Sequence, residues 1–132
     1  MTIKLDGIGI LVKDMKSMAH FYKNALDFEI DWREGEPNVY LVKDNTVFML
    51  YGREDFERMT RRKFTYAGGI NGHFELALSV RCYAEVDSTY QKAVLKGAEP
   101  VMPPETMPWG QRTCYVADPE GNLIEIGSFD KQ

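Results

Sequence analysis

One order of periodicities occurs twice along this chain, and it restricts the fold more than any single motif does. Residues 5–12 are rich in Ile, Leu and Val and stop at Asp14, a residue suited to cap a helix. From there Met15, Met18, Ala19, Tyr22, Ala25 and Leu26 recur at helical spacing, leaving Lys16, Ser17, Lys23 and Asn24 on the outer face. Three runs of strand length follow, over 28–33, 39–42 and 46–51, divided by Gly35-Glu36-Pro37 and Lys43-Asp44-Asn45. The second half restates this order with a strand over 73–80 and a helix over 84–96 that has Val86, Tyr90, Ala93 and Val94 on one face. Strands over 98–102, 111–117 and 122–128 complete it. Gly97 closes the second helix in the left-handed conformation, and Asp27 occupies the matching place after the first. Two β-α-β-β-β modules predict an α+β fold in one domain over 1–132, with module 1 at about 4–51, a linker at about 52–72 and module 2 at about 73–129.

A chain of 132 residues that is 44% apolar has enough material for a core. Its 16 Lys and Arg against 20 Asp and Glu give a net charge of -4, which supplies no electrostatic footprint for nucleic acid or an anionic membrane. Small molecules are the expected partners. No apolar run approaches the ~20 residues of a membrane helix, and MTIKLDGIGI enters a strand pattern without a signal-peptide core, so a cytoplasmic location is expected. Cys82 and Cys114 lack CxxC spacing and any activating partner nearby in sequence, and both read as reduced, unreactive thiols. The linker is long for a compact domain and carries GREDFERMTRRKF followed by Ala67-Gly68-Gly69, as a lid or binding loop would. Its charges, Arg53, Arg58, Arg61, Arg62 and Lys63 against Glu54, Asp55 and Glu57, read first as solvated surface and second as an anion-capturing lid.

The stretch DPEGNLIEI places a carboxylate inside an apolar strand. Pro119 presets the first turn position, Asp118 can bond the turn backbone, and Gly121 takes the positive φ that follows. A type I turn with Gly121 as bulge pairs Asp118 with Asn122, and counting back sets Tyr115 opposite Glu125. Leu123 and Gly127 share that face, while Ile124 and Ile126 point to the helices. A lone carboxylate on the other face has to be solvated, paired or metal-bound.

The paired modules, the opening GIGILVKDMKSMAHFYKNALDFE and the closing MPWGQRTCYVADPEGNLIEI together resemble the vicinal oxygen chelate superfamily. This group includes glyoxalase I, the extradiol dioxygenases and the bleomycin and fosfomycin resistance proteins. The likeness spans nearly the whole chain and is specific for fold; the superfamily is functionally mixed, so it says less about activity. It implies a cup-shaped mixed sheet with helices on its outer face, often completed by a homodimer, and a small-molecule site in the concavity. In metal-using members four strand residues bind one divalent ion. By this resemblance Glu125 falls on the fourth position, Glu75 on the third (usually His), Met49 on the second (usually Glu or Gln) and Gly7 on the first (commonly His or Gln). Gly7 offers no donor and Met49 is a soft thioether, so the pattern is broken. A set of His73, Glu75 and Glu125 is the remaining arrangement for a metal.

Without a cation, Glu75 and Glu125 would raise each other's pKa and furnish a general acid or base; the alternative is one carboxylate in water and one bonded to Tyr115 or a ligand amine. The spacing YVADPEGNLIE resembles that of extradiol dioxygenases, where the matching Tyr contacts substrate, and Tyr115 reads equally as substrate contact and as space-filling aromatic. Trp109 reads as a ligand platform or a subunit contact, and MPWGQR, which recurs in the resistance-type branch, favours the platform, with Gln111 and Arg112 beside it; Met49 and Tyr51 are candidate module 1 walls, with core packing the other reading of Tyr51. Trp32 and Phe56 read as core, and His20 as helix surface. The leading expectation is a metal-independent small-molecule binder with Glu75, Tyr115 and Glu125 at the centre of its cup and no cofactor. The alternative is a glyoxalase-like lyase or isomerase in which a divalent ion polarises a carbonyl.

Overall fold

The structure, a computed structural model, describes residues 2–132. Its elements run β1 (Gly7–Val12), α1 (Met15–Ala25), β2 (Asn38–Lys43), β3 (Thr46–Gly52), α2 (Arg53–Thr60), β4 (Asn71–Ser79), α3 (Tyr83–Leu95), β5 (Glu99–Thr106), β6 (Arg112–Ala117) and β7 (Asn122–Ser128). They form a three-stranded sheet in the order β1-β3-β2 and a four-stranded sheet in the order β4-β7-β6-β5. In each sheet the first strand runs parallel to the last strand of its module, and the remaining pairings are antiparallel. The crossover back to a parallel neighbour is made by α1 in the first module and α3 in the second, as parallel pairing requires.

Helix α1 starts where Asp14 accepts a hydrogen bond from the Ser17 amide at 3.1 Å, and it buries Met18, Ala19, Phe21, Tyr22 and Ala25 along one stripe. The chain leaves it through Asp27 at φ 58, and leaves α3 through Gly97 at φ 112. The rings of Tyr22, Phe28 and Phe48 pack with centroids 4.9 to 5.5 Å apart, and Val86 and Ala93 of α3 meet Val116, Ile124 and Ile126 in the same core. Three polar links join the modules. Tyr22 donates its hydroxyl to buried Asp118 at 2.7 Å, Lys92 pairs with Asp27 at 2.6 Å, and Glu120 accepts from the amides of Lys13 and Asp14.

Two expectations need correction. Residues 28–33 form no strand: Phe28 and Ile30 are buried, but the backbone bonds locally, and the Trp32 indole donates to the Glu36 carbonyl at 2.7 Å. Apolar content draws this segment into the core, and the following turn draws it off the ladder, so module 1 contributes three strands. The linker, read as a lid or loop, holds α2, which ends in Arg61 at φ 58. The Glu57 carboxylate then accepts from the Phe64 amide and the Tyr66 hydroxyl, both at 3.1 Å, and pins the descending chain to the helix. No helix is long and apolar enough to cross a membrane among the described residues.

Candidate ligand site

The hairpin β6–β7 sets the site. The Asp118 amide donates to the Asn122 carbonyl at 3.0 Å and the Gly121 amide to the Asp118 carbonyl at 2.9 Å, while Asp118 Oδ1 accepts from the amides of Glu120 and Asn122. Gly121 sits at φ 88, and a Cβ there would lie 1.9 Å from the Gly69 carbonyl oxygen, so no other residue fits the turn as folded. This closure puts Tyr115 opposite Glu125. Parallel pairing with β4 then puts Ala77 beside Glu125 and Glu75 beside Leu123, all on the face away from the buried Ile124 and Ile126.

Glu125 is half-buried and its charge is dispersed over neutral donors. Its Oε2 accepts from Thr113 Oγ1 at 2.9 Å and from Gln111 Nε2 at 3.4 Å, and Gln111 Oε1 accepts from the Trp109 indole at 3.0 Å. Trp109 is 64% exposed, a free ring at the rim. Burial pushes the Tyr115 hydroxyl up to about 12, and the negative charges of Glu125 and Glu75 push in the same direction, so the three groups share one electrostatic neighbourhood. Sequence reasoning passed over Thr113. It lies two residues before Tyr115 and therefore on the same face, a signal that strand alternation carries.

Other candidates are placed elsewhere. Arg112 stands on the helix side of β6, where its Nε donates to Asp87 of α3 at 2.8 Å and its Nη1 to Thr106 at 3.0 Å. Tyr51 turns to α2, with its hydroxyl on Met59 Sδ at 3.3 Å and its ring against Phe56. Met49 lies on the face of the first sheet opposite the buried Phe48 and Leu50, register-paired with Gly9 and Tyr40. His73 is exposed on β4, its amide held by Asn71 Oδ1 at 2.9 Å.

The residues present do not fit a divalent ion. A Cβ at Gly7 would lie 2.0 Å from the Val47 carbonyl oxygen, so the first position cannot carry a donor side chain as folded, and Met49 supplies only sulfur. Among the described residues no group of three or more His, Cys, Asp or Glu could hold a metal, and His73, Glu75 and Glu125 do not form one. What the face offers is space. A cavity of about 900 Å³ lies between β1 and β4 with Glu75 and Leu123 in its wall and residues 65–67 over it, and a hollow of about 420 Å³ adjoins Gln111 and Glu125.

Fold and site together define a paired-module α+β protein with Glu75, Tyr115 and Glu125 on one face of its second sheet. The model of the Glyoxalase/Bleomycin resistance protein/Dioxygenase superfamily matches residues 4–126, and the chain belongs to that family. It is 34% identical over 128 residues to the uncharacterised protein YraH of Bacillus subtilis strain 168, covering 94% of this chain and 97% of YraH. Two crystal structures share the fold at 23% identity. One is a glyoxalase-related enzyme from Fulvimarina pelagi, with TM-score 0.81, covering 94% of this chain and 86% of that one. The other is a glyoxalase/bleomycin resistance protein/dioxygenase family enzyme from Burkholderia phytofirmans PsJN, with TM-score 0.80, covering 95% and 98%.

Proposed function

We propose that this protein binds a small organic molecule in its concavity without a metal ion, as a cytoplasmic homodimer in which a second copy closes the cup. The observation that carries the reading is the convergence of Glu75, Tyr115 and Glu125 on a helix-free face beside a cavity whose volume, about 900 Å³, lies in the range of small-molecule sites. Glu75 borders both that cavity and the Tyr115 neighbourhood, so a ligand lodged at the seam reaches the polar cluster. Burial in the cavity together with hydrogen bonds to Glu125 and Tyr115 is sufficient for sequestration, and no covalent step is invoked.

The test is a thermal-shift screen of a chemically broad library followed by titration of hits. A saturable ligand whose binding drops at least about tenfold in Glu125→Gln, in line with loss of a charge-assisted hydrogen bond, supports the reading. Stoichiometric divalent metal in protein purified without chelator, abolished by Glu125→Ala, overturns its metal-free part.

A further inference from the structure

We propose that the cavity between β1 and β4 takes an organic carboxylate with a flat apolar body, and that Arg53 anchors its charge. This rests on the concavity being a ligand site and names the chemistry of the ligand. Arg53 opens α2 and its side chain, 22% exposed, stands in the cavity wall. The Tyr66 ring covers one face of the guanidinium, 4.1 Å from Cζ, and Tyr66 is itself held by Glu57. Nη2 reaches Glu120 Oε1 at 3.3 Å, and Nε is buried with no acceptor.

This guanidinium is therefore oriented but not saturated. Among the described residues Glu120 is its one carboxylate partner, and that carboxylate is already committed to the Lys13 amide at 2.9 and 3.1 Å and to the Asp14 amide at 2.7 Å, all shorter than its contact with Arg53. Glu75, also in the wall, is exposed and acts on Tyr115. A guanidinium has five N–H groups in a planar fork, and leaving them without acceptors away from water is unfavourable. A carboxylate is the planar two-oxygen group that matches this fork. The wall also carries Ile8, Ile10, Leu76 and Leu123, and this apolar part suits a hydrocarbon or aromatic body.

The test is calorimetric titration of the full chain with naphthoate and with naphthamide, which share a ring system and differ in charge. The wild type is expected to bind naphthoate at least about tenfold more tightly than naphthamide, as a charged hydrogen-bonded pair implies. Arg53→Met should erase that preference, and Arg53→Lys should keep part of it. Equal binding of the two probes by the wild type, or a preference that survives in Arg53→Met, overturns the assignment. If Arg53→Met does not fold, judged by its melting curve, the wild-type comparison and Arg53→Lys decide alone. A neutral or cationic library ligand that depends on Glu125 and binds Arg53→Met normally overturns the carboxylate and leaves the binding function standing; silence across the whole library removes both.

Discussion

Asp118 is 2% exposed, and it is tolerated because its oxygens are fully engaged. Oδ1 takes the amides of Glu120 and Asn122, Oδ2 takes the Tyr22 hydroxyl, and the Asn122 side chain serves both. Tyr22 is wholly buried, and burial followed by the Asp118 charge drives its hydroxyl well above the ordinary value, so it acts as a permanent donor. Tyr22→Phe keeps the ring packing and removes one bond to a buried charge. Urea unfolding should show a loss of roughly 1 to 3 kcal/mol, and an unchanged midpoint would refute the coupling. Tyr115 gives a pH-dependent prediction. An unfolded chain ionises tyrosine near about 10, whereas the folded site holds Tyr115 protonated to about 12. Its contribution to stability is complete below the unfolded value and is lost as pH rises through that window, because only the unfolded state releases its proton there. Unfolding free energies measured from neutral to strongly alkaline pH should fall less steeply in Tyr115→Phe than in the wild type; parallel curves would show that Tyr115 is not shifted.

At the scale of elements, the turn between β6 and β7 does more than reverse the chain. Glu120 projects from it to the first amides before α1 and to Arg53 at the start of α2, so one side chain fastens three elements. Glu120→Gln keeps the shape and weakens acceptance of these donors, and should lower stability by about 1 to 2 kcal/mol; a change within a few tenths would mean that the link is ornamental. This link was not legible in the sequence, since reaching Lys13 from Glu120 needs the packing of one module on the other. The hairpin itself was legible: Pro119 and Gly121 allow few turns, and the turn dictates the Tyr115–Glu125 pairing. Helices α1 and α3 were legible from period and caps. Residues 28–33 misled because an apolar run of strand length says nothing about whether its amides find a ladder. Helix α2 was hidden in a charge-rich stretch with no buried residue. The pairing of Arg112 with Asp87 was not legible, because Asp87 lies on a helix that sequence reasoning could orient but not dock.

At the scale of the whole molecule, the face of the first sheet opposite the buried Phe48 and Leu50 differs from the face of the second sheet opposite the buried Ile124 and Ile126. Tyr40 and Val42 on β2 are 66% and 63% exposed, and register pairing sets them beside Met49 and Val47 on one surface. Among the described residues this surface lacks the carboxylates that mark the second sheet, and Tyr40 and Val42 stand largely in solvent. A dimer that brings the module 1 face of one copy to the module 2 face of the other would bury it and roof the polar cluster, with each contact made twice by symmetry. Because Val42 is exposed within the protomer, replacing it should barely change folding, while a charge at the centre of a desolvated interface is severe. Sedimentation velocity should therefore find a dimer for the wild type and a single chain for Val42→Lys, with indistinguishable circular dichroism and a thermal midpoint lowered only by the lost association. A single-chain mass for the wild type across the accessible concentration range, or a Val42→Lys variant that remains dimeric, would place the closure of the cup elsewhere.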